Sequence, residues 1–409
     1  MRPILYDILR LFIGPWSPTP RGIDRVDLAY AQHLFADESS EIWGVMPTPW
    51  GVRLYDRALV LRGLARLEQI WRETETLGED PVLAAIKARL HGETPPPAQK
   101  RAHSSPLARQ ARLIQTTKIP LGRAVRHAPL GALYLNVGQL GWAAPWAMGW
   151  LARRPDIAVV LMLHDAIPIE HPALVSRSGA AAHRQMMRVA ARHIGGLITN
   201  TGTASESVLR ELALRGAEPP RCLTLALPLA PAFLEPDPPD PGLAAQNYFV
   251  TAGAIEPRKN HLLLLRVWRD LIERLGTAAP KLVIVGSPAQ GAGAVLEAIA
   301  PLASHVVQAS GLSTQGLRRL IRSSRALLMP SWAEGFGLPV QEALALGRPV
   351  IASDIPAHRE IGAGLPLFLP PDRDDLWLEA ILNPPEAGVY APMQAADYFR
   401  AVAGWLHEY

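Results

Sequence analysis

Residues 248–275 read Tyr248-Phe-Val-Thr-Ala252-Gly253-Ala-Ile-Glu256-Pro-Arg258-Lys259-Asn260-His261-Leu-Leu-Leu-Leu-Arg-Val-Trp-Arg-Asp-Leu-Ile-Glu-Arg-Leu275. Tyr248–Ala252 shows no polar alternation, which suits a strand buried on both faces of a parallel sheet. Gly253 to Asn260 is a loop of glycine, proline and charge. His261–Leu275 is apolar on one side only, the pattern of an amphipathic helix. The same strand, loop and helix rhythm recurs in both directions along the chain. Leu133–Val137, Ile157–Leu163 and Gly196–Ile198 precede it, and Leu282–Val285, Ala326–Met329 and Val350–Ala352 follow. Amphipathic stretches such as Ser205–Leu214 lie between such runs. This alternation predicts α/β units with parallel sheets.

A proline-rich segment, Pro228–Pro241, reads as an extended linker. It predicts two Rossmann-like, doubly wound parallel-sheet domains facing each other across a cleft. Residues 1–235 would form the first and residues 242–392 the second. Residues 393–409 would form a helix packing back toward the first. The opening run Met1–Gly14 is interrupted by Asp7 and Arg10, so it reads as a buried strand and not as a signal peptide.

With 409 residues, 49% hydrophobic and 19% charged, the chain has ample core for two domains and is not globally disordered. A single cysteine, Cys222, cannot form an internal disulfide, and no Cys/His cluster has zinc-ligand spacing. No run approaches the roughly 20 apolar residues needed to span a bilayer. Together these predict a cytoplasmic protein with no metal. Between Lys87 and Arg126 stand nine Lys/Arg against one acid, Glu93, although the whole chain carries only +4. Three readings fit this basic insertion of about 87–127: peripheral contact with an anionic membrane on the inner face of the cell, contact with a phosphorylated acceptor, or a solvated insertion. No groove-reading motif accompanies the charge, so nucleic acid is not expected.

Ligands of open parallel sheets gather beyond the carboxyl ends of the strands, and four groups sit there. Arg258 and Lys259 stand just before a helix start, where the dipole is already positive. An anion between them would offset that cost, and helix N-termini bind phosphate; pairing with Glu256 or a surface acid is the alternative. Asn260 is placed to cap the helix. The second group, Glu334-Gly335-Phe336-Gly337-Leu338-Pro339-Val340-Gln341-Glu342, offers glycine backbone for close approach to a ligand. Pro339 suits a first helical turn and Gly347 its end. Glu334 then lies in the loop and Glu342 in that first turn, two carboxylates suited to sugar and ribose hydroxyls. The third group is His164-Asp165, where Asp165 would orient the imidazole. The fourth is Pro20-Arg21-Gly22-Ile23-Asp24-Arg25-Val26, between the first strand and a helix running to Phe35, where Gly22 would let backbone meet phosphate or simply turn the chain. No G-x-G-x-x-G follows the first strand, which excludes the usual dinucleotide fingerprint.

Taken together, these motifs resemble glycosyltransferase family 4, retaining enzymes of the two-domain GT-B fold. The resemblance is strongest from about Tyr248 to Ala363, weaker around Arg21–Val26, His164–Pro172 and Leu197–Thr203, and absent from the basic insertion. It implies that Arg258 and Lys259 bind the donor diphosphate, Glu334 the transferred sugar and Glu342 the ribose. Gly253, Gly335, Phe336, Gly337 and Leu338 would line the donor, Gly22 would approach the diphosphate from the other domain, and His164 would lie beside the sugar. By the same resemblance the first domain binds the acceptor, a saccharide or polyprenyl-diphosphate-linked saccharide, and no cofactor or metal is needed. The run His164-Asp-Ala-Ile-Pro168 is similar to that of bacterial mannosyltransferases building surface polysaccharide, so GDP-mannose is the expected donor. A sugar-nucleotide epimerase, a sugar-phosphate synthase and a non-catalytic nucleotide-sugar-binding subunit are the competing expectations.

Overall fold

A computed structural model describes residues 2–13, 20, 22–48, 50–72, 80–95, 122–235 and 238–409. Arg21 and most of the basic insertion lie outside them. The chain forms two parallel-sheet α/β domains. The first sheet contains β1 (Ile4–Asp7), β2 (Ile42–Thr48), β3 (Gly51–Tyr55), β4 (Arg123–Ala124), β5 (Leu133–Asn136), β6 (Ala158–Met162), β7 (Gly196–Thr199) and β8 (Arg221–Thr224). Its order is β4-β3-β2-β1-β5-β6-β7-β8, with only β3 and β4 antiparallel to their neighbours. The second sheet contains β9 (Tyr248–Ala252), β10 (Lys281–Val285), β11 (Val306–Ala309), β12 (Leu327–Met329), β13 (Val350–Ser353) and β14 (Leu367–Leu369). Its order is β11-β10-β9-β12-β13-β14, parallel throughout.

Each central strand has helices on both faces, which is why its residues are apolar without alternation. Tyr248, Phe249 and Val250 are fully buried. Val250 faces a core that continues through the first domain, and Phe249 faces the opposite one with Trp268. In both sheets the winding reverses beside the first strand, between β1 and β5 and between β9 and β12. Loops leaving two such neighbours diverge, so each sheet opens a crevice at its carboxyl edge.

Four sequence expectations change. The opening run is a strand only over Ile4–Asp7; a one-residue break leads into a short helix, Leu9–Ile13, capped by Asp7 through the amide of Leu9 at 2.9 Å. The proline-rich segment is not a free extended spacer. Leu227, Leu229 and Phe233 are buried, and the Leu227 carbonyl accepts from Gln341 at 2.8 Å. Prolines without N–H groups let this segment cross the core with few backbone donors to satisfy. The start of the basic insertion is structural: Lys87, on the helix Pro81–His91, pairs with Asp240 at 2.8 Å. That helix docks on the second domain, where Lys281 donates to its Arg89 and Leu90 carbonyls and Asp80 accepts from the Ser313 amide. Asn260 is in the left-handed region (φ 53), and its side chain does not cap the helix. Its amide ties the Pro330 and Pro371 carbonyls together instead.

The final helix, Ala395–His407, crosses to the first domain. Tyr398 and Tyr30 share a 2.6 Å hydroxyl contact, His33 stacks on Phe399, and Tyr409 donates to the Gly195 carbonyl.

Candidate active site

β9 and β12 are the neighbours at which the second sheet reverses, and the loops leaving them carry a cluster of paired charges, Glu256, Arg258, Lys259 and Glu334. After β9, Gly253 (φ 145) is followed by the turn Pro257–Lys259. A side chain at Gly253 would stand 3.2 Å from Lys259 Cε, so the glycine makes room for the lysine to fold back. After β12, Ser331 to Gly337 turn into the helix Leu338–Ala345. Pro339 occupies its first turn, and Gly347 (φ 65) ends it through backbone bonds from Gly347 and Arg348.

Glu334 is the hub. Its Oε1 accepts from Lys259 Nζ at 2.5 Å and Ser331 Oγ at 2.6 Å, and its Oε2 pairs with Arg258 at 2.7 Å. Arg258 also pairs with Glu256 at 2.7 Å and donates to the Ala333 carbonyl. The cations are thus paired within the cluster, including with Glu256, as the alternative reading had it. Burial would raise the Glu334 carboxyl, but the adjacent Lys259 and Arg258 outweigh it and hold it well below its ordinary value. Burial and the like charge of Arg258 pull Lys259 down despite Glu334. Arg258 goes the other way: Glu334 and Glu256 overcome its burial and fix its charge.

The opposite wall comes from the first domain. His164 and Asp165 follow β6, and Gly335 lies directly on them. A Cβ on Gly335 would stand 2.6 Å from the His164 carbonyl oxygen and 2.9 Å from Asp165 Cβ, so only glycine closes this contact. Asp165 does not orient His164. Its carboxylate caps the Ile167 amide and feels the charges of Arg258 and Glu334, and burial pushes it up. His164 is held by the Val137 carbonyl (3.3 Å) and by Asn200 (2.9 Å), and burial lowers it to about 4. It is neutral near pH 7.

Other predicted residues fall around the same contact. Gly22 begins the helix Gly22–Ala36 and faces Leu338, whose Cδ1 would be 3.0 Å from a Gly22 Cβ. Gly337 (φ 98) needs the left-handed region, and Phe336 is buried. Glu342 stands one turn deeper in its helix than expected, because the helix starts at Leu338. It is buried and pairs with Arg25 at 2.8 Å, while Oε2 has no partner among the described residues. The site therefore brings together His164, Gly253, Arg258, Lys259, Glu334 and Gly335, with Gly22, Leu338 and Glu342 at the adjoining seam.

Sequence reasoning assigned no role to Arg25, Asn200, Thr201, His358 or Glu360. Thr201 Oγ1 donates to the Gly335 carbonyl at 2.9 Å, and Glu360 accepts from the Gly202 amide at 2.6 Å, both across the cleft. His358 donates to the Ser353 carbonyl and leaves Nε2 unpartnered among the described residues beside Gly337. Asn200 and Thr201 directly follow β7, so their place at a strand's carboxyl end was a usable signal. Nothing local marked Glu360.

Residues 246–383 match the family model described as glycosyl transferases group 1. The chain is 34% identical over 143 residues to the O-antigen chain mannosyltransferase RfbU of Salmonella typhimurium, covering 34% of this chain and 38% of that protein. It is 30% identical over 256 residues to the D-inositol 3-phosphate glycosyltransferase of Rhodococcus opacus, covering 58% and 55%. The matches thus span only about half, or less, of these relatives' lengths. Sucrose-phosphate synthase from Thermosynechococcus elongatus superposes with a TM-score of 0.56 over 93% of this chain and 89% of its own, at 15% identity. At that identity the likeness is one of fold, and the fold is GT-B.

Proposed function

We propose that this chain is a retaining, metal-independent glycosyltransferase that moves a hexose from a nucleotide-sugar donor to a saccharide or lipid-linked saccharide in surface-polysaccharide synthesis. The observation that carries the reading is the Arg258–Lys259–Glu334 cluster at the point where the second sheet reverses, closed by His164–Asp165 of the first domain. The match of residues 246–383 to the glycosyltransferase group 1 model supports the reaction class. Likeness to a protein named as a mannosyltransferase supports mannose as the sugar, and GDP-mannose is the donor we infer from it.

In this reading the donor diphosphate engages Arg258 and Lys259, which lets Glu334 turn toward the sugar hydroxyls, and the Oε2 of Glu342, without a partner among the described residues, accepts from the ribose. Scission of the anomeric C–O bond leaves positive charge on the sugar and negative charge on the diphosphate. The two cations, fixed before the reaction starts, stabilise that leaving group. The acceptor hydroxyl attacks the same face, its proton passing to the leaving phosphate oxygen, which preserves configuration. Glu334 orients the sugar and is not a nucleophile, since same-face attack needs no covalent glycosyl intermediate.

The testing experiment incubates the purified chain with a panel of nucleotide sugars and saccharide acceptors and measures released nucleoside diphosphate and product anomer. The expected result is turnover of GDP-mannose, retained configuration and no loss of rate in excess EDTA. Turnover of no donor, or an inverted product, would overturn the reading.

A further inference from the structure

His164 and Asn200 share one buried hydrogen bond whose direction the Val137 carbonyl sets, while Asn200 Oδ1 has no partner among the described residues. The Val137 carbonyl can only accept, so the His164 nitrogen facing it, Nε2, carries the proton. A neutral imidazole has one proton, so Nδ1 is bare and needs a donor. Asn200 meets Nδ1 at 2.9 Å through its amide nitrogen, which can only donate. Both side chains are buried, His164 at 8% exposure and Asn200 at 2%, so water offers little competition. The Asn200 backbone is locked as well: Thr201, next in the chain, caps the helix Gly202–Ala213 through the Ala204 amide and reaches the Gly335 carbonyl.

We propose that Asn200 is a positioning residue that holds His164 as the neutral, Nε2-protonated tautomer, so that His164 serves the reaction as a hydrogen-bond donor to a sugar hydroxyl and not as an acid or base. This rests on the glycosyltransferase reading for the substrate, though the tautomer assignment stands without it. The Val137 contact at 3.3 Å is longer than an ordinary N–H···O bond. It costs little to exchange, and the Nε2–H is ready for a hydroxyl oxygen at the carboxyl end of β6. The charge of Arg10, from the helix Leu9–Ile13, disfavours a second proton on the ring. Asp165, the chain neighbour of His164, feels the charges of Arg258, His183 and Glu334.

The test has two arms. In protein labelled with nitrogen-15 at histidine, with His164→Gln assigning the signals, wild type is expected to show a protonated Nε2 and a bare Nδ1 from pH 6 to 8. Asn200→Ala should give mixed tautomers. Asn200→Asp, which keeps the shape but can only accept at this contact, should protonate both nitrogens near neutrality. In kinetics with the full chain, Asn200→Asp should gain a new ionisation between pH 5 and 8 and lose about tenfold or more in kcat, with KM for the donor within about threefold. A merely structural role would move neither the tautomer nor the pH profile. A protonated Nδ1 in wild type, or an Asn200→Asp variant with unchanged tautomer and pH profile, would overturn the proposal. The predicted tautomers in a protein that turns over no donor would leave the tautomer assignment standing and defeat the glycosyltransferase reading.

Discussion

Arg25 and Glu342 form a 2.8 Å ion pair across the cleft, joining the helix Gly22–Ala36 of one domain to the helix that follows the glycine turn of the other. Glu342 is 2% exposed at its side chain and Arg25 is 21% exposed, so the pair is mostly withdrawn from water. Removing one member leaves a buried charge alone, which is costlier than removing both. Arg25→Ala should therefore destabilise the protein by on the order of 2–4 kcal/mol, read as a lower urea midpoint. Arg25→Ala with Glu342→Gln should recover part of that loss. Simple additivity of the two substitutions would contradict the coupling.

On the proposed mechanism Arg258 and Lys259 should matter more to turnover than to nucleotide affinity, because there the charge they meet grows as the anomeric bond breaks. Arg258→Gln or Lys259→Gln should lower kcat by about 100-fold or more, with a smaller change in the affinity for nucleoside diphosphate by calorimetry. A variant with undiminished kcat would remove that cation from the mechanism.

Gly335→Ala adds a methyl group where the His164 carbonyl is 2.6 Å away. The seam has to part to accept it, at a cost of roughly 1–3 kcal/mol. Donor turnover should fall by tenfold or more, and proteolysis within residues 228–241 should speed up. A variant with wild-type turnover would show that this contact is not needed for the reaction.

Burial lowers His261 from 6.5 to about 4, aided by the charge of Lys259. The unfolded chain takes up this proton as pH falls through 6.5, whereas the folded chain resists until about 4. The stability due to the neutral ring is therefore complete above pH 6.5 and is lost as pH falls toward 4. In this window the group contributes a slope of up to about 1.4 kcal/mol per pH unit. His261→Gln should flatten the pH dependence of unfolding between pH 6.5 and 4. Parallel curves for variant and wild type would contradict this account.

The architecture was legible in the sequence because buried parallel strands carry their signal locally. Tyr248–Ala252 and His261–Leu275 have the bounds that their apolar patterns indicate. Arg258, Lys259 and Glu334 were legible for the same reason, being polar residues in loops that leave such strands. What escaped depends on which distant segments meet. Nothing near Arg25 marks Glu342 as its partner 317 residues on, and nothing near Glu360 marks the Gly202 amide. His164 was visible but its orienting partner was not. The adjacent Asp165 was the local candidate, whereas the contact comes from Asn200, at the end of the neighbouring strand. Likewise Asn260 has a capping residue's type and position, yet its left-handed backbone turns the side chain to two carbonyls of other loops.

On the proposed reading a nucleotide sugar binds where Arg258, Lys259, Glu334 and Glu342 meet the first domain. Thermal unfolding against a panel of nucleotide sugars tests it most directly, because a ligand that binds the folded chain raises the midpoint by mass action. The account predicts selective stabilisation by GDP-mannose in wild type, lost in Glu342→Ala at the same ligand concentration. Equal shifts in wild type and Glu342→Ala, or no shift with any nucleotide sugar, would contradict it.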